Sequence, residues 1–226
     1  MCLVSLYLAV SSDTQADEGG TSFWLPGQFG SHAATLTKPG WSLTLSYHHA
    51  STRTATGKNF EIGGRIETGV RNQTHLLFIT PTYTFSEFVL GGQAAISLTG
   101  TFGHMNVSAD ATLAGPNGNV LSRNDRSSLT GIGDLFPFAT IRWNAGNHNF
   151  MTYTMLGVPV GDYKIGQLTN LGINHWSIDI GSGYTYFNTQ AGREFSVVAG
   201  FTHNCKNHDT QYRNGNNLHL DWSISQ

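Results

Sequence analysis

The chain has 226 residues, of which only 12% are Asp, Glu, Lys or Arg, against about 25% in an ordinary soluble domain. Disorder does not account for so little charge, since 39% of the chain is hydrophobic and 12% aromatic; the net charge of -2 comes without a basic run, which excludes an electrostatic nucleic-acid partner. The 27 glycines, with abundant Ser, Thr and Asn, favour strands and turns, and no apolar run approaches the about 18 residues of a membrane-spanning helix.

Residues 3–10 form a short apolar run, followed by polar Ser11–Gln15 and then Ala16. This is the h-region and small-residue end of a secretory signal, so residues 1–16 are predicted to be a signal peptide with an incomplete n-region. Cleavage removes Cys2 and leaves Cys205 alone, so the mature fold holds without an intramolecular disulfide. Residues 17–40 are Gly-rich, carry Phe23, Trp24 and Phe29, and lack alternation; they are predicted to be a non-strand segment that folds into a lumen as a plug.

From residue 41 onward the pattern has period two. Trp41, Leu43, Leu45 and Tyr47 alternate with Ser42, Thr44, Ser46 and His48. Noisier runs follow at about 60–70, 74–85, 87–102, 104–113, 136–144, 148–158 and 194–204, with 114–130 reading as a long polar loop. Clean alternation returns at 176–186, where Trp176, Ile178, Ile180, Tyr184 and Tyr186 share a face, and at 217–224, where Leu218, Leu220, Trp222 and Ile224 do. Turn signals separate the runs at Gly91-Gly92, Pro116-Asn117-Gly118, Asn144–Asn147, Asn188–Gly192 and Asn214-Gly215-Asn216. The prediction is about ten antiparallel strands in one domain, residues 41–226.

In a soluble sandwich the outward faces of such strands carry many charges, whereas here the polar faces are mostly Ser, Thr, Gly and Asn. A membrane barrel explains this better: its apolar face meets lipid and its polar face lines a lumen. Trp41, Tyr47, Trp143, Tyr153, Trp176, Tyr184, Tyr186 and Trp222 then fall at strand ends as interfacial girdles. The predicted fold class is all-β, an antiparallel transmembrane β-barrel.

The chain also carries, in order, Glu18-Gly19-Gly20-Thr21-Ser22, Leu25-Pro26-Gly27, Pro39-Gly40-Trp41-Ser42-Leu43, Thr80-Pro81-Thr82-Tyr83-Thr84-Phe85 and Leu90-Gly91-Gly92-Gln93. These are followed by Gly131-Ile132-Gly133-Asp134-Leu135 with Pro137, His148-Asn149-Phe150-Met151-Thr152-Tyr153, Pro159-Val160-Gly161 with Tyr163, and Asn170-Leu171-Gly172. Gly183-Tyr184-Thr185-Tyr186, Asp209-Thr210-Gln211-Tyr212 and Asp221-Trp222 complete the set. Over residues 18–226 the chain resembles the meta-pathway phenol-degradation family, regarded as outer-membrane transporters. The resemblance implies an outer-membrane barrel of a Gram-negative bacterium that passes aromatic or other hydrophobic small molecules. Family members continue past the Asp-Trp strand, whereas this chain stops at Gln226 in mid-strand, so it is expected to be truncated at the C-terminus, with about ten strands of a complete twelve.

The lumen-lining candidates are the residues opposite the apolar positions: Ser42, Thr44, Ser46 and His48, then Ser177, Asp179 and Thr185, then His219, Asp221 and Ser223. His203, Cys205 and His208 have the spacing of soft metal ligands but no fourth partner, and read as rim residues. Asp134 reads as part of a glycine turn that starts a strand. Ser177 with Asp179, and His219 with Asp221 and Ser223, lie at i and i+2 on one face, but a lumen-facing polar stripe produces the same pairs, and no G-x-S-x-G elbow is present. The sequence therefore predicts no catalytic residue, metal or cofactor. Its partners are the bilayer, the barrel-assembly machinery and small hydrophobic or aromatic solutes. The alternatives are a non-transporting structural or surface-binding barrel and, third, a rim-sited lipid-modifying enzyme.

Overall fold

A computed structural model describes residues 23–24, 27–59, 65–114 and 119–226; the predicted signal peptide lies outside the described residues. Eight strands form one antiparallel sheet in sequential order, curled into a half-barrel: β1 (Gly40–Asn59), β2 (Arg65–Val89), β3 (Gly92–Ala114), β4 (Val120–Ala145), β5 (His148–Gly157), β6 (Ser177–Asn188), β7 (Arg193–Asn204) and β8 (Asn217–Ser225). Among the described residues there is no helix, and β1 and β8 do not pair with each other.

The ten predicted runs reduce to eight strands because two pairs of runs are each one strand. Residues 65–70 of the run 60–70, whose first five positions lie outside the described residues, belong to β2 with 74–85, and most of 87–102 with 104–113 belongs to β3. The predicted loop 114–130 is also largely strand, since Val120 to Thr130 pair residue by residue with β3. At 26 residues β4 extends about 85 Å, far beyond the roughly 9–11 residues a bilayer requires of a strand. β1 to β4 therefore stand well clear of β5 to β8, which have 9 to 12 residues.

The two rims differ. One carries the tight turns: Leu90 and Gly91 both have positive φ (52° and 72°), the twist a two-residue hairpin requires, and Trp143 Nε1 donates to the Leu90 carbonyl at 3.1 Å. Gly146, with φ 68°, turns β4 into β5. The opposite rim carries the long connections, residues 158–176 between β5 and β6 and 205–216 between β7 and β8.

The faces are inverted relative to a water-soluble sheet. Register places Trp41, Tyr83, Ile96, Ala139, Thr154, Ile180, Phe201 and Leu218 in one row on the outward face, where most of the large apolar side chains are exposed. Seven of the predicted girdle aromatics stand on that face. Tyr153 does not: it pairs with Gly181 on the inward face and is buried, so it is a core residue. The buried apolar cluster of Phe23, Trp24, Ala34, Met151, Tyr153, Met155, Ile173 and Val198 lies between the N-terminal segment and the inward face.

Candidate functional site: the inward face and the segment seated on it

All ten lumen-lining candidates fall on the inward face. Ser42, Thr44, Ser46 and His48 pair across to Thr82, Thr80, Phe78 and Leu76 of β2. On the far side Ser177, Asp179 and Thr185 pair with Asn204, Thr202 and Ser196, while His219, Asp221 and Ser223 pair with Gly200, Val198 and Ser196. The set divides in two. The β1 residues face open space, whereas Ser177, Asp179, Thr185 and Asp221 are buried.

What covers Asp179, Thr185 and Asp221 is the N-terminal segment, held mainly through its backbone, whereas Ser177 is enclosed with His175 and Asn204. The Asp221 carboxylate accepts both the Gly27 amide (2.9 Å) and the Phe29 amide (3.2 Å). Further along, Glu194 accepts the His32 amide, Thr185 Oγ1 the Ala34 amide, and Gln93 both accepts the Thr37 amide and donates to its carbonyl. Arg142 donates to the Ala33 carbonyl at 3.3 Å. Residues 27–37 thus cross the sheet from β8 to β3, with five of their amides on side chains where a strand would use a ladder.

Aromatic rings fix the start of the segment. Trp24 stacks on His219 with ring centroids 3.5 Å apart and planes 14° from parallel; Phe29 packs on Tyr153 at 5.1 Å and Phe23 on Phe136 at 5.6 Å. Glycines make the room. A Cβ at Gly157 would lie 2.7 Å from the Phe23 ring, one at Gly181 would lie 2.5 Å from the Tyr153 hydroxyl, and one at Gly200 would overlap that hydroxyl and crowd His219. Beneath Trp24, His219 Nε2 lies 2.8 Å from Asp179 Oδ2, which also accepts the Thr202 hydroxyl.

Between the segment and β1–β4 lies a cavity of about 480 Å³. One wall is hydroxylated, with Thr44, Ser46, Thr80, Ser97, Thr99 and Thr101; the other is apolar, with Phe23, Phe29, Phe136, Phe138 and Met155. His48 also lines it, while His49 belongs to the outward face, as their adjacent positions on a strand dictate.

Gly131-Ile132-Gly133-Asp134 is not a turn. It lies within β4 at a bulge, where Gly133 and Asp134 together oppose Thr101. The bulge aims the buried Asp134 carboxylate at the β5–β6 connection, where it accepts the Gly161 and Ile173 amides, each at 2.8 Å. Asp162 answers by accepting the Ile132 amide at 2.8 Å. The glycines are required by close approach, since a Cβ at Gly131 would overlap the Asp162 side chain and one at Gly133 would lie 3.2 Å from the Leu171 carbonyl oxygen.

The Asn-rich connection after β7 is ordered by amide networks. Ser177 donates to Asn204 (2.7 Å), Asn204 to the Gly215 carbonyl (2.9 Å), and Asn174 to Asn207 (3.0 Å). His203 engages Asn216 at 2.8 Å, and Cys205 is a free, exposed thiol. Among the described residues no three His, Cys, Asp or Glu side chains gather as a metal would require. The i, i+2 pairs do not act as units: Asp179 joins His219 from another strand, and the imidazole nearest Ser177 is His175, whose other nitrogen meets Asn214 at 3.1 Å.

Sequence reading missed Glu194, Gln93, Arg142, Tyr153 and the true role of Asp134. Parity was the available signal for the first four, since each lies an even number of residues from an inward position on its own strand.

No curated protein and no solved structure matches the chain. A family model does, over residues 56–226, with the description "Putative MetA-pathway of phenol degradation". This match spans most of the chain and runs from the upper part of β1 through β8, so the protein belongs to that phenol-degradation family.

Proposed function

We propose that the protein is an outer-membrane β-barrel working as a passive channel for small hydrophobic or aromatic compounds, with the described part of the 17–40 segment, residues 23–24 and 27–40, as a plug in its lumen. The observation that carries this reading is the inversion of faces. Trp41 is 77% and Leu218 84% exposed, while Asp179, Thr185 and Thr202 are 0% exposed on the inward face. Exposing apolar surface to water costs about 25 cal/mol per Å², a cost that lipid removes across the whole outward band. The rims agree with it, since outer-membrane barrels keep tight turns on the periplasmic side and long connections outside. The cavity, apolar on one wall and hydroxylated on the other, suits a small ring or chain bearing a polar substituent.

Fractionation of Gram-negative cells together with heat-modifiable gel migration tests the location. Swelling of liposomes holding the full-length protein tests transport, with faster entry of benzoate-like acids than of sugars of similar size as the expected result. Equal exclusion of both solutes refutes the channel. It leaves a non-transporting structural or surface-binding barrel, a reading favoured by the complete burial of Asp179 and Thr185 beneath the segment.

A further inference from the structure

Beyond the apolar band, the outward face of β1 to β4 changes character one register row at a time. The row Tyr47, Leu77, Phe102, Ile132 is apolar; the next is His49, His75, His104, Thr130; then come Ser51, Gln73, Asn106, Ser128; and then Arg53, Arg71, Ser108, Arg126. Tyr47 and His75 are hydrogen-bonded at 2.6 Å, as are His104 and Thr130, so the histidine row closes the band as a polar-tipped girdle. All three arginines are exposed.

Arg53 and Arg71 sit directly opposite each other, an arrangement in which like charges weaken strand pairing. Among the described residues no carboxylate forms an ion pair with either arginine. The ion pairs of arginine among the described residues are Arg65–Glu67 and Arg123–Asp125, and the carboxylate nearest by register on this face, Asp110, accepts from Asn124. The arginines border a polar hollow of about 550 Å³, together with Ser51, Gln73 and Asn106. Guanidinium groups fit phosphate by parallel, bidentate hydrogen bonds, and neutral hydroxyls and amides between them complete such a site without competing charge.

We propose that this row binds the phosphorylated headgroup of a glycolipid in the outer leaflet. The assignment rests on the membrane-barrel reading, which puts the long-connection rim outside the cell. Height chooses the lipid. Four residues separate the arginine row from the histidine row, about 13 Å along the strand and about 10 Å along the membrane normal at ordinary barrel tilt. That exceeds the roughly 5–8 Å headgroup layer of a phospholipid and suits a taller, sugar-bearing one, which long arginine side chains reach by bending toward the membrane.

The test titrates the full-length protein, purified in neutral detergent, with bis-phosphorylated lipid A, with lipid A stripped of both phosphates, and with inorganic phosphate. Bis-phosphorylated lipid A should bind at least tenfold more tightly than the stripped form. The triple variant R53Q/R71Q/R126Q should lose that preference, and R123Q, on the opposite face of β4, should keep it. Equal binding of stripped and phosphorylated lipid by the wild-type protein overturns the proposal, as does a folded triple variant that retains the preference. Binding of inorganic phosphate as tightly as of the lipid overturns the glycolipid assignment in favour of a free-anion site. Heat-modifiable migration, recorded on the same samples, separates the two readings: its loss in the wild-type protein refutes the barrel, whereas its retention without phosphate preference refutes the arginine site alone.

Discussion

Substituting Asp221 by Ala should release the N-terminal segment from the inward face without unfolding the sheet. One carboxylate accepts two backbone amides there, Gly27 at 2.9 Å and Phe29 at 3.2 Å, and both bonds are charge-assisted. At roughly 1.5–3 kcal/mol each, with the longer bond at the weak end, their loss is worth about 3 kcal/mol, which makes opening of the segment roughly a hundredfold more frequent. The rest of the seat is untouched. Glu194 still accepts from His32, Thr185 from Ala34 and Gln93 from Thr37, so hydrogen exchange at those three amides reports opening of the segment and not merely the two deleted bonds. Exchange at His32, Ala34 and Thr37 should accelerate by about that factor, and planar-bilayer recordings of the full-length protein should show longer or more frequent high-conductance events. Asp221→Asn keeps one acceptor oxygen and should fall between. Unchanged protection in a folded Asp221→Ala variant refutes the view that this carboxylate holds the segment; altered protection with unchanged conductance refutes the plug.

Gly200→Ala puts a methyl group where the Tyr153 hydroxyl and the His219 ring already are; overpacking of this kind costs about 1–3 kcal/mol, so the temperature of the heat-modifiable transition should fall, and Tyr153→Phe in the same chain should recover part of it. Asp134→Ala removes the acceptor of the Gly161 and Ile173 amides, and limited proteolysis within residues 161–173 should speed up by tenfold or more while exchange at Ala34 stays at the wild-type rate. Thr99→Trp places an indole in the cavity between the segment and β3; it should slow entry of aromatic acids into liposomes while leaving gel migration unaltered, and undiminished entry would show that solute takes another route.

Strand identity is most legible where an outward apolar band meets a polar inward face. Trp41 to His48, Trp176 to Tyr186 and Leu218 to Ile224 lie within that band, and their contrast in hydropathy tracks the pleat. Legibility failed where strands leave the band. Between Ser122 and Ser128 every residue is polar because both faces lie outside the apolar zone, yet the ladder with β3 continues unbroken to Val120. Periodicity therefore divides the long strands into shorter runs, although β2, β3 and β4 are each one strand. Gly131-Ile132-Gly133-Asp134 failed for another reason. Glycine beside Asp signals a turn locally, but here the demand for small residues comes from residues 161–172, which approach the strand only after it has folded.

The candidate site shows the same boundary between local and distant causes. Parity alone placed all ten candidates on the inward face, because a side chain's face depends only on its position in its own strand. It carried nothing about partners: Asp179 and His219 meet across 40 positions of sequence, and Asp221 reaches Gly27 across 194. The same argument explains why residues 17–40 read as shapeless. A strand announces itself by alternating side chains because its amides are spent on neighbouring backbone. The amides of Gly27, Phe29, His32, Ala34 and Thr37 go instead to Asp221, Glu194, Thr185 and Gln93, so the pattern that specifies this segment is written on the inward faces of β3, β6, β7 and β8. Its lack of periodicity is what a segment held by its backbone on a polar wall should have.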